Sequence, residues 1–562
     1  MKKNISKVLL TIGAAAVVAL SSCSKVPTQS KHIPKEAAFV LSIDGKQIQD
    51  KIASGGLTMD KVFETLQTGQ DTSNPVLKGF KEIENSGLDI KSNLYIAVTP
   101  NTTRNVVIDL IAKLDDGAKF EAFLKKHNAA VSIKTEGADF KYAEVESAVV
   151  GWNKETVIAV SVQGGSGDGE AAAGKVELTR LFKLKESESA NSIEGFKKLM
   201  KEKADVAAFV NLSSIYNLDQ GAAAAMMMTS LKKLYEGAYY TATVNFENGK
   251  IVSEMKSYSS DALAKIMKKY SWEGVNLAML EKYPSSNIDG FALLNFDLRM
   301  IGDIIKEAGM DGLVNMGMAQ SGLSLEDVLK AFKGEIVAVA SDFKTVKTVS
   351  EWDTTYSYNK TEVKWLVSLK VGDKASFEKV MNSPMVQQAF TKQGDKYIMK
   401  EEMGPAGFSV YIDTKDVIVA SDAALQAEYQ AGKGKAVVAP EVLSEAKGSP
   451  AVLYVDLEKI LASAPLNEMD APEVEAELKT LFKDIRMVSE KPSGSVSTSK
   501  FVLNFKKQDQ NSLVQLINFG LKAGKAIQAK QAAQRKMWED ISEDTTVADD
   551  AAVAVDTVVA VP

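Results

Sequence analysis

"FVLSIDGKQI" at residues 39–48 and "LLNFDLRMI" at residues 293–301 carry one pattern, an apolar run closing on an acid, Asp44 or Asp297, just before a helical start. The two acids lie 253 residues apart. Three further stretches recur at nearly the same spacing. "VVIDLIAKLDDGAKFEAFLKK" resembles "KWLVSLKVGDKASFEKVMN", with Phe120 matching Phe377 at an offset of 257. "WNKETVIAVS" resembles "IDTKDVIVAS", with Val157 matching Val417 at 260, and "ATVNFENGKIVSE" loosely resembles "KFVLNFKKQDQNS", with Phe246 matching Phe505 at 259. Four matches in order at one spacing read as an internal duplication, with halves at 34–275 and 283–522. Each half is long enough to build its own core.

Each half also restarts in its middle. "AAFVNLSSIYNL" from Ala207 and "AVLYVDLEKIL" from Ala451 again close an apolar run on a short polar residue, Asn211 or Asp456. Asp44, Asn211, Asp297 and Asp456 at such junctions are expected to cap helices, because a short polar side chain accepts the free amides of the first turn. A metal or catalytic carboxylate is the sharper reading of the same four; their recurrence at one kind of junction favours capping.

Between the junctions, "LYIAVT", "NVVIDLIAKL" and "TVIAVSV" are short β-rich runs, several alternating with period two as half-buried strands do. "AKFEAFLKKH" and "SFEKVMNSPMVQQAF" space their apolar residues three and four apart after Asp116-Gly117 or Gly372-Asp373, which predicts capped amphipathic helices. Together they predict an α+β fold: tandem modules with mostly antiparallel sheets and covering helices. "QGGSGDGEAAAGK" at 163–175 reads as a flexible loop in the first half, 523–538 as a C-terminal helix, and 539–562 as an acidic low-complexity tail.

The start of the chain carries a second kind of signal. Lys2, Lys3 and Lys7 precede the apolar run "VLLTIGAAAVVAL", which ends in small residues and the single cysteine, Cys23. Positive head, short apolar run and small residues have the order of a secretory signal peptide over 1–22, and the run is short for a bilayer-spanning helix. Leu20-Ser21-Ser22-Cys23 resembles a lipobox, which implies cleavage before Cys23 and acylation of its thiol and new amino terminus. Several acyl chains anchor stably where one does not. A free surface thiol or a signal-anchor helix are the alternatives. Residues 23–33 read as a tether. Ser24, Lys25 and Val26 lack the acidic cluster expected of an outside-facing lipoprotein, so the anchor is expected to face the periplasm from the outer membrane.

Function classes can then be weighed. Cleavage takes the formal charge from −6 to −9 by removing Lys2, Lys3 and Lys7, which argues against nucleic acid as a partner. The two histidines are His32, in the tether, and His127, at a helix end, so neither a histidine metal site nor a histidine-based triad is expected. "GGSGDG" lacks the Lys-Ser/Thr of a phosphate loop. Asp115-Asp116 and Asp549-Asp550 lack calcium-loop spacing. No catalytic residue, metal or cofactor is assigned.

The lipobox, the "AAFVLSID" opening after Pro34 and the repeated strand-helix modules through about residue 520 resemble a Bacteroidota lipoprotein family, domain of unknown function 4836. The resemblance implies an envelope location and lipid attachment at Cys23, and carries over no other functional residue. Two functions stay open. One is a non-enzymatic envelope protein with a binding or structural role, its possible partner a protein, a glycan or a hydrophobic ligand. The other is a hydrolase whose carboxylates or serines meet only in the fold. The groove between the halves is the favoured surface, with Trp152, Trp272, Trp352 and Trp365 either lining it or filling cores.

Overall fold

The computed structural model of the chain describes residues 26–58, 83–100, 106–145, 148–163, 169–216, 231–350, 352, 354–400, 407–465 and 472–546. The expected signal peptide, Cys23, residues 164–168 of the expected loop and the expected tail from 547 lie outside the described residues. Among the described residues the first half contributes ten strands: β1 (Phe39–Asp44), β2 (Asn93–Pro100), β3 (Val106–Lys113), β4 (Lys134–Glu136), β5 (Phe140–Val145), β6 (Ala148–Trp152), β7 (Thr156–Gln163), β8 (Val206–Asn211), β9 (Tyr239–Glu247) and β10 (Lys250–Tyr258). Ten more follow in the second: β11 (Ile288–Asn295), β12 (Phe332–Val349), β13 (Ser357–Val371), β14 (Phe390–Gln393), β15 (Lys396–Met399), β16 (Ser409–Asp413), β17 (Asp416–Ala420), β18 (Ala451–Val455), β19 (Phe482–Ser489) and β20 (Val496–Phe505).

Strand pairing gives the two halves one topology. The first runs 4-5-6-7-3-2-1-8-9-10. The second runs 14-15-16-17-13-12-11-18-19-20, the same order. Every pairing is antiparallel, so the fold is α+β. β10 then pairs with β20 from Lys250↔Asn504 to Tyr258↔Val496 without a bulge, joining the halves edge to edge in one twenty-stranded sheet.

Local chemistry explains why the repeats fold alike. Helix Gly117–His127 is capped by Asp116, which accepts from the Ala118 and Lys119 amides, and helix Lys374–Met381 by Asp373, which accepts from Ser376. Phe120 and Phe377, four residues past those caps, are 3% and 0% exposed and anchor equivalent satellite cores. The main cores lie under the helices that follow β7 and β17. Helix Glu170–Phe182 sets Leu178 and Leu181 on Tyr95, Ile111 and Ile158. Helix Ala423–Gln430 sets Leu425 and Tyr429 with Phe291, Val337 and Leu366.

Register corrects two of the correspondences. The Asp44 amide bonds to Asp205 O and the Asn295 amide to Pro450 O at matching places, so Asp44 is equivalent to Asn295 and buried Val40 to buried Phe291. Phe296, Asp297 and Leu298 are an insertion before the helix Arg299–Glu307. Phe246 lies in β9 but Phe505 in β20, whose counterpart is β10. Both stretches carry Asn-Phe near the end of a strand, and that shared pair caused the mismatch. Boundaries shift as well. Thr28–His32 forms a 3-10 turn with Ser30 and His32 buried, His32 Nδ1 lying 2.9 Å from Leu181 O, so this part of the expected tether belongs to the body. Helix Glu170–Phe182 begins inside the expected loop, since the run Ala171–Ala173 favours helix. A Cβ at Gly174 would come within 3.1 Å of Val149, so the absent side chain lets the helix seat closely on β6. Helix Leu277–Glu281 fills the gap between the halves and buries Met279 and Leu280 in the second core. The last helix runs Ser512–Thr546, longer at both ends than 523–538.

The halves also exchange helices. The helix after β10, Asp261–Met267, packs on Arg299–Glu307, the first helix after β11, where Lys269 and Tyr270 both reach Asp303, at 2.9 and 3.0 Å. The helix after β20 places Val514 on Ile52 and Leu57, in and just after Gly45–Ser54, the first helix after β1. Each half is thus held by the other's terminal helix.

Candidate functional site

The four polar junction residues do different things. Asp44 accepts the Gln47 amide at 2.9 Å and the Gln47 side chain at 3.0 Å. Asp456 accepts the Lys459 amide at 3.0 Å. Asp297 accepts the Arg299 amide at 2.9 Å from one residue outside the usual cap, and the Arg299 guanidinium holds its carboxyl below the usual range. Among the described residues the Asn211 side chain makes no bond to the helix Leu212–Tyr216 that follows it; its side-chain amide donates to Lys35 O at 3.2 Å. It pins the segment before β1 instead of a helix. Among the described residues, no group of three or more His, Cys, Asp or Glu side chains is placed to hold a metal ion.

Buried carboxylates are where sequence reasoning missed most. Asp205 accepts the Phe246 amide at 2.6 Å and pairs with Lys51. Asp484 takes Arg486 at 2.8 Å and Asn504 at 2.6 Å. Asp289 accepts the Phe343 amide at 2.7 Å, and burial raises its pKa. Asp109 on β3 is fully buried, with neither oxygen partnered among the described residues; burial first, then the nearby Glu177, pushes its carboxyl well above the usual range. The signal was present in "VVIDLIAK", where the period-two pattern of β3 puts Asp109 on the inward face with Val107 and Ile111.

A cavity of about 400 Å³ opens where the halves meet. Its floor is buried Leu57 from the first half and Leu481 and Gln515 from the second. Gln515 donates through Nε2 to Lys507 O at 2.8 Å and Gln510 O at 2.9 Å, leaving its buried Oε1 without a partner. Lys507, Lys522 and Lys525 rise around the rim with, among the described residues, a single acid, Glu477, which accepts from Lys522 at 2.8 Å. Lys507 and Lys525 have no ion pair among the described residues. Among the described lining residues Thr480 carries the one hydroxyl, and it donates to Glu477 O at 3.0 Å. The lining therefore offers apolar contact, amides and positive charge, a set suited to binding.

None of the four tryptophans singled out from sequence lines this cavity. Trp152 is core, 3% exposed; Trp272 donates to Met267 O; Trp365 is half-buried on β13; Trp352, at the far end of the β12–β13 hairpin, is 97% exposed. Among the described residues, no helix is long and apolar enough to cross a membrane.

No curated protein matches the chain. Solved structures of TP0453 in crystal forms IV, III and I share 11% identity with it, at TM-scores of 0.24, 0.26 and 0.24. They cover 40, 44 and 43% of this chain and 80, 90 and 81% of their own, and no shared architecture is inferred at those scores. The family model described as Domain of unknown function (DUF4836) matches residues 30–513, most of the length, and the chain belongs to that family.

Proposed function

We propose that the chain is a lipid-anchored cell-envelope binding protein that takes its ligand in the cavity between the halves. In this reading residues 1–22 are removed, Cys23 is acylated, and the body faces the periplasm from the outer membrane of a Bacteroidota cell. The observation that carries the binding role is the cavity: it sits at a domain interface, where ligand sites concentrate, and its lining mixes leucines with lysines and amides.

Two measurements test the proposal. Metabolic labelling with a tagged fatty acid is expected to mark the wild-type chain and to miss Cys23→Ala, and label surviving the replacement would remove the anchor. For the binding role, native mass spectrometry of the chain from Ser24 onward, taken from envelope extract, should show a retained small molecule that is expelled by Leu521→Trp, a substitution in the cavity lining. Turnover of an ester or glycosidic substrate, abolished by replacing one buried carboxylate or serine, would replace the binding reading with a hydrolase.

A further inference from the structure

We infer that the ligand of the junction cavity is an organic anion with an apolar body, its charged group held at the Lys507–Lys525 rim and its body directed onto Leu57 and Leu481. The inference rests on the binding role proposed above and adds the chemistry of the ligand. Among the described residues three lysines face one glutamate around this mouth, in a chain whose formal charge is −6. Lys522 is occupied by Glu477, so Lys507 and Lys525 are the cations left to meet an incoming anion.

The floor decides the orientation. Leu57 and Leu481 are 9% and 5% exposed and have no polar atom on their side chains, so they favour hydrocarbon. Gln515 adds only a carbonyl oxygen, because both of its amide hydrogens are spent on Lys507 O and Gln510 O. A bare carbonyl dipole repels an anion, and a carboxylate, sulfonate or phosphate seated on the floor would meet it without a donor. The charged group therefore stays at the mouth, where the ammonium groups donate to it.

The probes are octanoate, octanol and inorganic phosphate, each competing with the fluorescent sulfonate 1-anilinonaphthalene-8-sulfonate on the chain from Ser24 onward, which keeps every described residue. Octanoate is expected to displace the dye at least tenfold more strongly than either octanol or phosphate. Lys507→Gln and Lys525→Gln should each weaken octanoate about tenfold, Lys→Arg at the same positions should restore most of it, and added salt should weaken it further. Leu521→Trp, which fills the cavity, should abolish displacement while the urea midpoint shows the variant folded.

The outcomes separate the two layers of the reading. Octanol matching octanoate, with both lysine variants unchanged, overturns the anion and leaves a cavity that binds neutral ligands. Phosphate matching octanoate overturns the apolar body. Dye binding that Leu521→Trp leaves untouched shows the dye lies elsewhere and overturns the cavity role along with this inference.

Discussion

Replacing Asp109 should remove a pH dependence that the rest of the molecule keeps. Asp109 pairs across the sheet with Ala97 and Val160, is fully buried, and its carboxylate has no hydrogen-bond partner among the described residues. The nearby Arg180 offers little relief, since its guanidinium is committed to Glu177 at 2.6 and 2.7 Å and to Glu36 at 2.7 Å. Burial therefore raises the folded carboxyl well above the ordinary 3.8. The sign follows from linkage: between the ordinary and the raised value the folded state holds a proton that the unfolded state has released. Stability is full below the ordinary value and falls as pH rises towards the folded one, by about 1.36 kcal/mol per pH unit. Asp109→Asn fixes the protonated form and should flatten that portion of the slope. Asp109→Val also removes the orphaned polar atoms and should gain about 1–3 kcal/mol at neutral pH. Urea unfolding of wild type and both variants at half-unit steps from pH 4 to 7 measures this. Parallel stability curves for wild type and Asp109→Asn would show that Asp109 ionises as freely in the fold as in the open chain, and would refute the reasoning.

Phe120→Ala and Phe377→Ala remove equivalent core rings and should each cost about 3–5 kcal/mol in urea unfolding; a loss under about 1 kcal/mol at either would show that the two satellite cores do not carry equal weight. Asp456→Ala should cost about 0.5–2 kcal/mol through the lost bond to the Lys459 amide, read as a lower thermal midpoint, and an unchanged midpoint would mean that the cap contributes nothing.

What was legible in the sequence was what neighbouring residues decide among themselves. Asp116 and Asp373 cap helices from within their own short stretches, and Val157 and Val417 sit at matching places on β7 and β17, so these correspondences lie where the spacing put them. The opener was misaligned because Asp44 and Asp297 look alike, yet one ends its strand and the other stands in a three-residue insertion. Backbone pairing with Asp205 and Pro450, which fixes the register, is set by residues more than 150 positions away. The cavity was illegible for the same reason. Leu57 meets Leu481 and Gln515 only because the terminal helix crosses to the opposite half. Asp109 was readable in principle: an acid on the inward phase of a strand is a local signal, and it was passed over because the surrounding run is so apolar.

The β10–β20 pairing has a consequence for how such a chain arises and fails. Nine residue pairs on each strand satisfy edges that an isolated half would leave open, and an open edge of that length invites pairing with another chain. A polypeptide ending after the Asp261–Met267 helix would carry a self-complementary border and the helix that belongs over its neighbour's first turn, everything required for a twofold dimer. The duplicated chain is, in these terms, a dimer made covalent. Its partner is always present at high local concentration, and a lesion that frees either edge would let two molecules trade halves instead of closing on themselves.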